Sequence, residues 1–151
     1  LQERNMKIQL IGFIDELPES TKQVVLKAVE DTKDNTGMVL TFALNYGSRA
    51  EIIEATKALA NEVKFGEISV EDINDEVFAS KLQTCFLGNL QDPDLMIRTS
   101  GEVRLSNFLL WQLAYSEYYF TDIFWPDFSE EDLHKAILTY QGRHRRYGGL
   151  A

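Results

Sequence analysis

A chain of 151 residues with a formal net charge of -9 fits one domain able to bury a core, and its acidity argues against bulk nucleic-acid binding. The single cysteine, Cys85, excludes an internal disulfide and a zinc–cysteine site and suits a reducing compartment. The longest apolar stretch, residues 108–113 continued by Ala114 and Tyr115, is too short to span a bilayer.

The chain opens LQERNMKIQLIGF, with Leu1 in place of an initiator Met and no basic-then-apolar leader, so it reads as a portion of something longer. Residues 7–13 (KIQLIGF) read as a short buried strand. Residues 17–33 read as an amphipathic helix, with Pro18 in its first turn and Val24, Val25, Ala28 and Val29 on one face. DNTG at 34–37 is turn chemistry. Residues 38–46 (MVLTFALNY) form a continuous apolar run, expected to be a strand buried on both faces, as in a parallel sheet.

Residues 48–63 predict a helix with Ser48 as N-cap and Glu51 at capping-box spacing. One or two short acidic helices follow over 70–82, whereas 82–90 is not distinctive. A strand is expected at 95–99, a loop SGEVRLS after it, and a helix from about Asn107 to Glu117. A last strand over 118–124 and a final helix over 129–147, with Leu133, Ile137 and Tyr140 on one side, complete the chain. Strands alternate with helices, so the fold class is α/β with a mainly parallel sheet flanked by helices, in one domain spanning 1–151.

Arg98 and Arg104 sit six residues apart, at the carboxyl end of the 95–99 strand, where open parallel sheets bind ligands. Ser100 and Gly101 allow a tight turn, and Ser106 or Asn107 would open the next helix. A helix N-terminus presents N–H groups and partial positive charge, and guanidinium forks match phosphate oxygens. The expectation is an anion cradle of Arg98, Arg104, the Ser106 hydroxyl and helix N–H groups. Equally open is a local reading in which the two arginines pair with Glu102, Asp92 or Asp94.

RTSGEVRLSNFLLWQLAYSEYYFTDIFWPDF, at 98–128, resembles the signature of the cis-prenyltransferases, in particular their bacterial undecaprenyl diphosphate synthase branch. FALNYGSRAEI at 42–52 is similar to a second block of that family, and RRYGG at 145–149 to its C-terminal ending. The resemblance implies an α/β cis-prenyltransferase fold lacking its N-terminal strands and helices. It also implies an activity: magnesium-dependent condensation of farnesyl diphosphate with successive isopentenyl diphosphates. The product would be undecaprenyl diphosphate, the lipid carrier for cell-wall assembly. By resemblance, Arg98, Arg104, Leu105 (through its backbone) and Ser106 bind isopentenyl diphosphate, and Glu117 binds Mg2+. Arg146 and Gly148, in an Arg-x-Gly ending, contact the diphosphate site of a partner subunit.

The resemblance further implies a cytoplasmic homodimer with no nucleic-acid partner and no transmembrane segment, meeting the membrane peripherally through its lipid product. The family's Asp-Gly-Asn-Gly-Arg-type loop, whose aspartate binds magnesium and the allylic diphosphate, does not occur in this sequence. The chain alone is therefore expected to be inactive, with no catalytic residue of its own. An alternative is a non-catalytic accessory subunit of a heteromeric cis-prenyltransferase, although such a subunit has little reason to keep the arginine clamp. Ser48 stands where the family usually has a second Gly.

On an intact helix, Ser106 and Glu117 would lie roughly 16 Å apart at 1.5 Å per residue. Glu117 is accordingly expected to serve a dimer-related site or to act through the interface. Met38, Leu40, Phe42 and Leu44 are open to either core packing or tunnel lining. Trp111, Tyr115, Tyr118, Tyr119 and Phe120 suit the core or a dimer interface. His134 and His144 have no partner spacing, RHRR at 143–146 suits an exposed helix end, and Asp72, Asp75 and Glu76 suit a solvated face.

Overall fold

The computed structural model describes residues 2–143. His144, Arg146 and Gly148 lie outside the described residues. The chain divides into two compact units between Phe86 and Leu87.

In the first unit β1 (Lys7–Ile11) and β2 (Val39–Ala43) pair in parallel, from Lys7 opposite Val39 to Ile11 opposite Ala43. The crossover between them is α1 (Glu19–Asp31). Pro18 stands at its N-cap, one position before the helix, where its fixed φ costs nothing. Thr32 closes the unit: its buried hydroxyl donates to the Ala28 carbonyl at 2.8 Å and accepts from the Ile8 N–H at 3.0 Å. That links the end of α1 to β1. Of the predicted apolar face, Val25, Ala28 and Val29 turn inward while Val24 is exposed.

The expectation that 38–46 is buried on both faces does not hold. The strand covers only Val39–Ala43, and Met38 and Phe42 remain 61% and 43% exposed. Within its sheet β2 has a single neighbour, β1. α2 (Ser48–Lys64) forms as expected, but its N-cap is Gly47 and the Ser48–Glu51 capping box is absent. Both side chains are buried instead. The 70–82 stretch supplies a 3-10 turn at Val70–Asp72 and the short helix α3 (Asp75–Ala79), with Asp72, Asp75 and Glu76 exposed.

In the second unit β3 (Leu95–Arg98) and β4 (Glu117–Phe120) pair in parallel, and α4 (Glu130–Gln141) packs on β4. Met96, Leu113 and Ala136 are its buried apolar centre. α4 starts with a capping box: the Ser129 hydroxyl accepts from the Asp132 N–H, and the Asp132 carboxylate accepts from the Ser129 N–H at 2.9 Å. The helix ends at Gln141, short of the predicted Tyr147. Leu133 and Ile137 stay partly exposed and Ala136 carries the buried face.

The predicted helix from Asn107 to Glu117 is not formed. Ser106, Asn107 and Leu109 have φ of 49°, 64° and 44°, left-handed values that a right-handed helix cannot contain. The stretch folds as consecutive turns, with bonds such as Phe108 N–H to the Leu105 carbonyl at 3.1 Å and Leu113 N–H to the Leu109 carbonyl at 2.9 Å.

Candidate functional site

Arg98 is the last residue of β3, and the chain turns sharply after it. Ser100 and Gly101 both adopt left-handed backbone, with φ of 69° and 71°. The turn is held down by Ser100 N–H to the Ile123 carbonyl at 2.8 Å and Gly101 N–H to the Thr121 carbonyl at 3.0 Å. The loop then passes back over the strand end. There the Arg98 guanidinium donates to the Arg104 carbonyl and, at 3.2 Å, to the Ser106 hydroxyl. Arg98 therefore shapes the loop as well as charging it.

Arg98, Arg104, Leu105 and Ser106 all line one cleft of about 290 Å³, floored by Met96, Ile97 and Phe108. Beside it lies a larger apolar cleft of about 430 Å³, walled by Ile97, Trp125, Phe128 and Leu133. Trp125 and Phe128 stack there with ring centres 6.0 Å apart. The structure brings these four residues together in one cleft. The cradle reading fails for the helix N-terminus beneath them, because no helix starts there and its N–H groups are not offered as a set.

Local pairing accounts for one arginine. Arg104 forms an ion pair with Glu102. Among the described residues, no carboxylate forms an ion pair with Arg98. Burial pushes the Asp92 carboxyl above its ordinary range, the opposite of what an adjacent guanidinium would do. The Arg104–Glu102 pair is solvent-exposed, and such pairs contribute about 0–1 kcal/mol. An incoming dianion can displace Glu102 at little cost.

Glu117 sits elsewhere. It opens β4 opposite Leu95, whereas Arg98 closes β3 opposite Phe120. Three residues of extended chain, about 10 Å, lie between the two positions. The helix on which the Ser106–Glu117 separation was reckoned is not formed. The Glu117 carboxylate accepts a hydrogen bond from Arg143 at 2.7 Å, and the same guanidinium nitrogen donates to the Tyr118 carbonyl at 2.8 Å. Sequence reasoning missed this pair. Arg143 looked like a helix-end charge, and a partner 26 residues away leaves no local signal.

A second cluster was also missed. Glu51, 2% exposed, accepts from the Tyr46 hydroxyl and from the Gln83 N–H at 2.8 Å, and the Gln83 side-chain oxygen accepts from the Gly12 N–H at 2.5 Å. These bonds tie the carboxyl ends of β1 and β2 to Gln83, which lies in no recognisable motif. His134 lies 3.9 Å from Glu130 on α4 and touches neither site.

As donors for magnesium, the Glu117 carboxylate and the Tyr118 carbonyl are hard oxygens of the right kind. Among the described residues no group of three ligand-bearing side chains is gathered that could hold a metal. Magnesium typically takes only one or two carboxylates and fills its remaining positions with water and phosphate oxygens. Glu117 fits such a role.

Open parallel α/β sheets take their ligands at the carboxyl ends of strands, where this cleft lies, and guanidinium forks match phosphate oxygens. The comparisons define the family. The family described as "Putative undecaprenyl diphosphate synthase" matches residues 1–148, and the chain belongs to it. It is 56% identical over 150 residues to an isoprenyl transferase of Halalkalibacterium halodurans, covering 99% of this chain and 57% of that protein. To the ditrans,polycis-undecaprenyl-diphosphate synthase ((2E,6E)-farnesyl-diphosphate specific) of Micrococcus luteus it is 57% identical over 150 residues, covering 99% of this chain and 59% of that protein. The chain therefore spans less than three fifths of either relative.

Among solved structures, lavandulyl diphosphate synthase from Lavandula x intermedia, in complex with dimethylallyl diphosphate, superposes with a TM-score of 0.94 at 37% identity. That match covers 97% of this chain and 62% of that one. The fold is the cis-prenyltransferase fold.

Proposed function

We propose that this chain forms the isopentenyl diphosphate half of a cis-prenyl elongating site, one part of a single catalytic domain. The observation that carries this reading is the cleft in which Arg98, Arg104, Leu105 and Ser106 converge. Two guanidiniums and a hydroxyl can take the diphosphate oxygens by charge-assisted bonds. The adjoining apolar floor of Met96, Ile97 and Phe108 suits a short hydrocarbon.

In the condensation a carbon–carbon bond forms between the allylic and isopentenyl carbons, the allylic carbon–oxygen bond breaks, and diphosphate and a proton leave. The residues described here would hold the isopentenyl partner still while this happens, the positioning share of the rate enhancement. Magnesium, when bound, neutralises charge on the departing diphosphate. Glu117 is the carboxylate this chain would bring to it. Its place at the far end of the β3–β4 pair favours service to a dimer-related site.

The parent reaction, by this reading, is the extension of farnesyl diphosphate to undecaprenyl diphosphate, the cell-wall lipid carrier, in a cytoplasmic homodimer. Arg146 and Gly148 would reach the partner's diphosphate. Among the described residues no helix is long and apolar enough to cross a membrane; by this reading, contact with the membrane would come through the lipid product.

Ionising the allylic diphosphate needs groups that this sequence does not contain, so the 151-residue chain binds without turning over. Incubation with farnesyl diphosphate, radiolabelled isopentenyl diphosphate and Mg2+ tests this. The expected result is no solvent-extractable radiolabelled polyprenyl product, and label in that fraction contradicts the reading.

A further inference from the structure

A single nitrogen, Nη1 of Arg143, lies between two oxygens: Glu117 Oε2 at 2.7 Å and the Tyr118 carbonyl at 2.8 Å. The two side chains are 37% and 25% exposed, so the pair is reachable from solvent yet partly shielded. A cation bridging a carboxylate and a backbone carbonyl is also what a hard divalent ion does. The guanidinium stands where such an ion would be drawn.

We propose that Arg143 is the resident counter-cation of Glu117 and competes with a divalent cation for it. The consequence is a threshold. Free ion meets a carboxylate already neutralised, and its affinity is lowered by the charge it must displace. Arg143 lies two residues beyond the end of α4, after the C-cap Gly142. The contact therefore joins the first residue of β4 to the end of the helix packed on it, and ion binding would release that join. The inference rests on the reading of Glu117 as a cation ligand, and its test separates the two.

Mn2+ serves as the probe, titrated against the purified chain with the free ion followed by electron paramagnetic resonance at fixed ionic strength. Arg143→Gln removes the competing charge and is expected to tighten Mn2+ binding about tenfold. Arg143→Lys keeps the charge and is expected to stay near the unaltered chain, which separates competition from a general loosening of the helix end. Glu117→Gln is expected to abolish binding in either background. Circular dichroism confirms that each variant is folded.

An Arg143→Gln chain that binds Mn2+ no better than the unaltered one, while Glu117→Gln still loses the ion, overturns the competition and leaves the ligand role of Glu117 standing. If Glu117→Gln binds Mn2+ like the unaltered chain, the ligand reading itself falls and the proposal falls with it.

Discussion

Arg98 carries two tasks at once: its guanidinium fixes the Arg104 carbonyl and the Ser106 hydroxyl, and it supplies positive charge to the cleft. The spacing of Arg98, Arg104 and Ser106 made their convergence legible, because a strand end followed by a Ser-Gly turn returns the chain upon itself. The Arg104–Glu102 pair was also legible, as the local alternative. Neither the Arg143–Glu117 contact nor the Gln83 bridge was, since both join positions far apart in sequence without a motif. Gly12 shows what one residue can decide. Its φ is 117°, and a Cβ there would lie 1.8 Å from the Leu44 carbonyl oxygen, backbone that cannot step aside. Gly12→Ala is expected to cost about 2–4 kcal/mol, read as a lower urea midpoint. An unchanged midpoint would show that the β1–β2 end is not packed as described.

At the scale of elements, pattern located most of the strands and helices and misjudged their ends. The helix expected at 107–117 fails because its apolar spacing says nothing of the left-handed backbone at Ser106, Asn107 and Leu109. β2 looked doubly buried because its run is continuous, yet its sheet supplies one neighbour. α4 ends at Gln141, where Gly142 caps it. Its start is the better-defined end. Hydrogen bonds from the Ser129 hydroxyl and N–H hold the Asp132 carboxyl below its ordinary 3.8. A carboxyl depressed in the folded state contributes stability that is complete above the ordinary value and is lost as pH falls through the lower folded one. Asp132→Asn is therefore expected to weaken α4 at neutral pH and to remove part of the acid-induced loss of helical signal below pH 3.8. A variant whose circular dichroism follows the same acid curve as the unaltered chain would show that this cap contributes nothing.

Across the whole molecule, the α/β class and the family were both legible, the first from alternation and the second from three ordered blocks of sequence. The matches to relatives over 99% of the chain agree. The two compact units were not legible, because contact density is a property of the folded chain and no linker composition marks the division. The central claim concerns one cleft, and isothermal titration with isopentenyl diphosphate tests it most directly. The account predicts binding by the unaltered chain that Arg98→Ala weakens at least about tenfold, the worth of a charge-assisted contact. Folding of the variant is confirmed by circular dichroism. Absence of binding by the unaltered chain, or equal affinity in a folded Arg98→Ala variant, would contradict it.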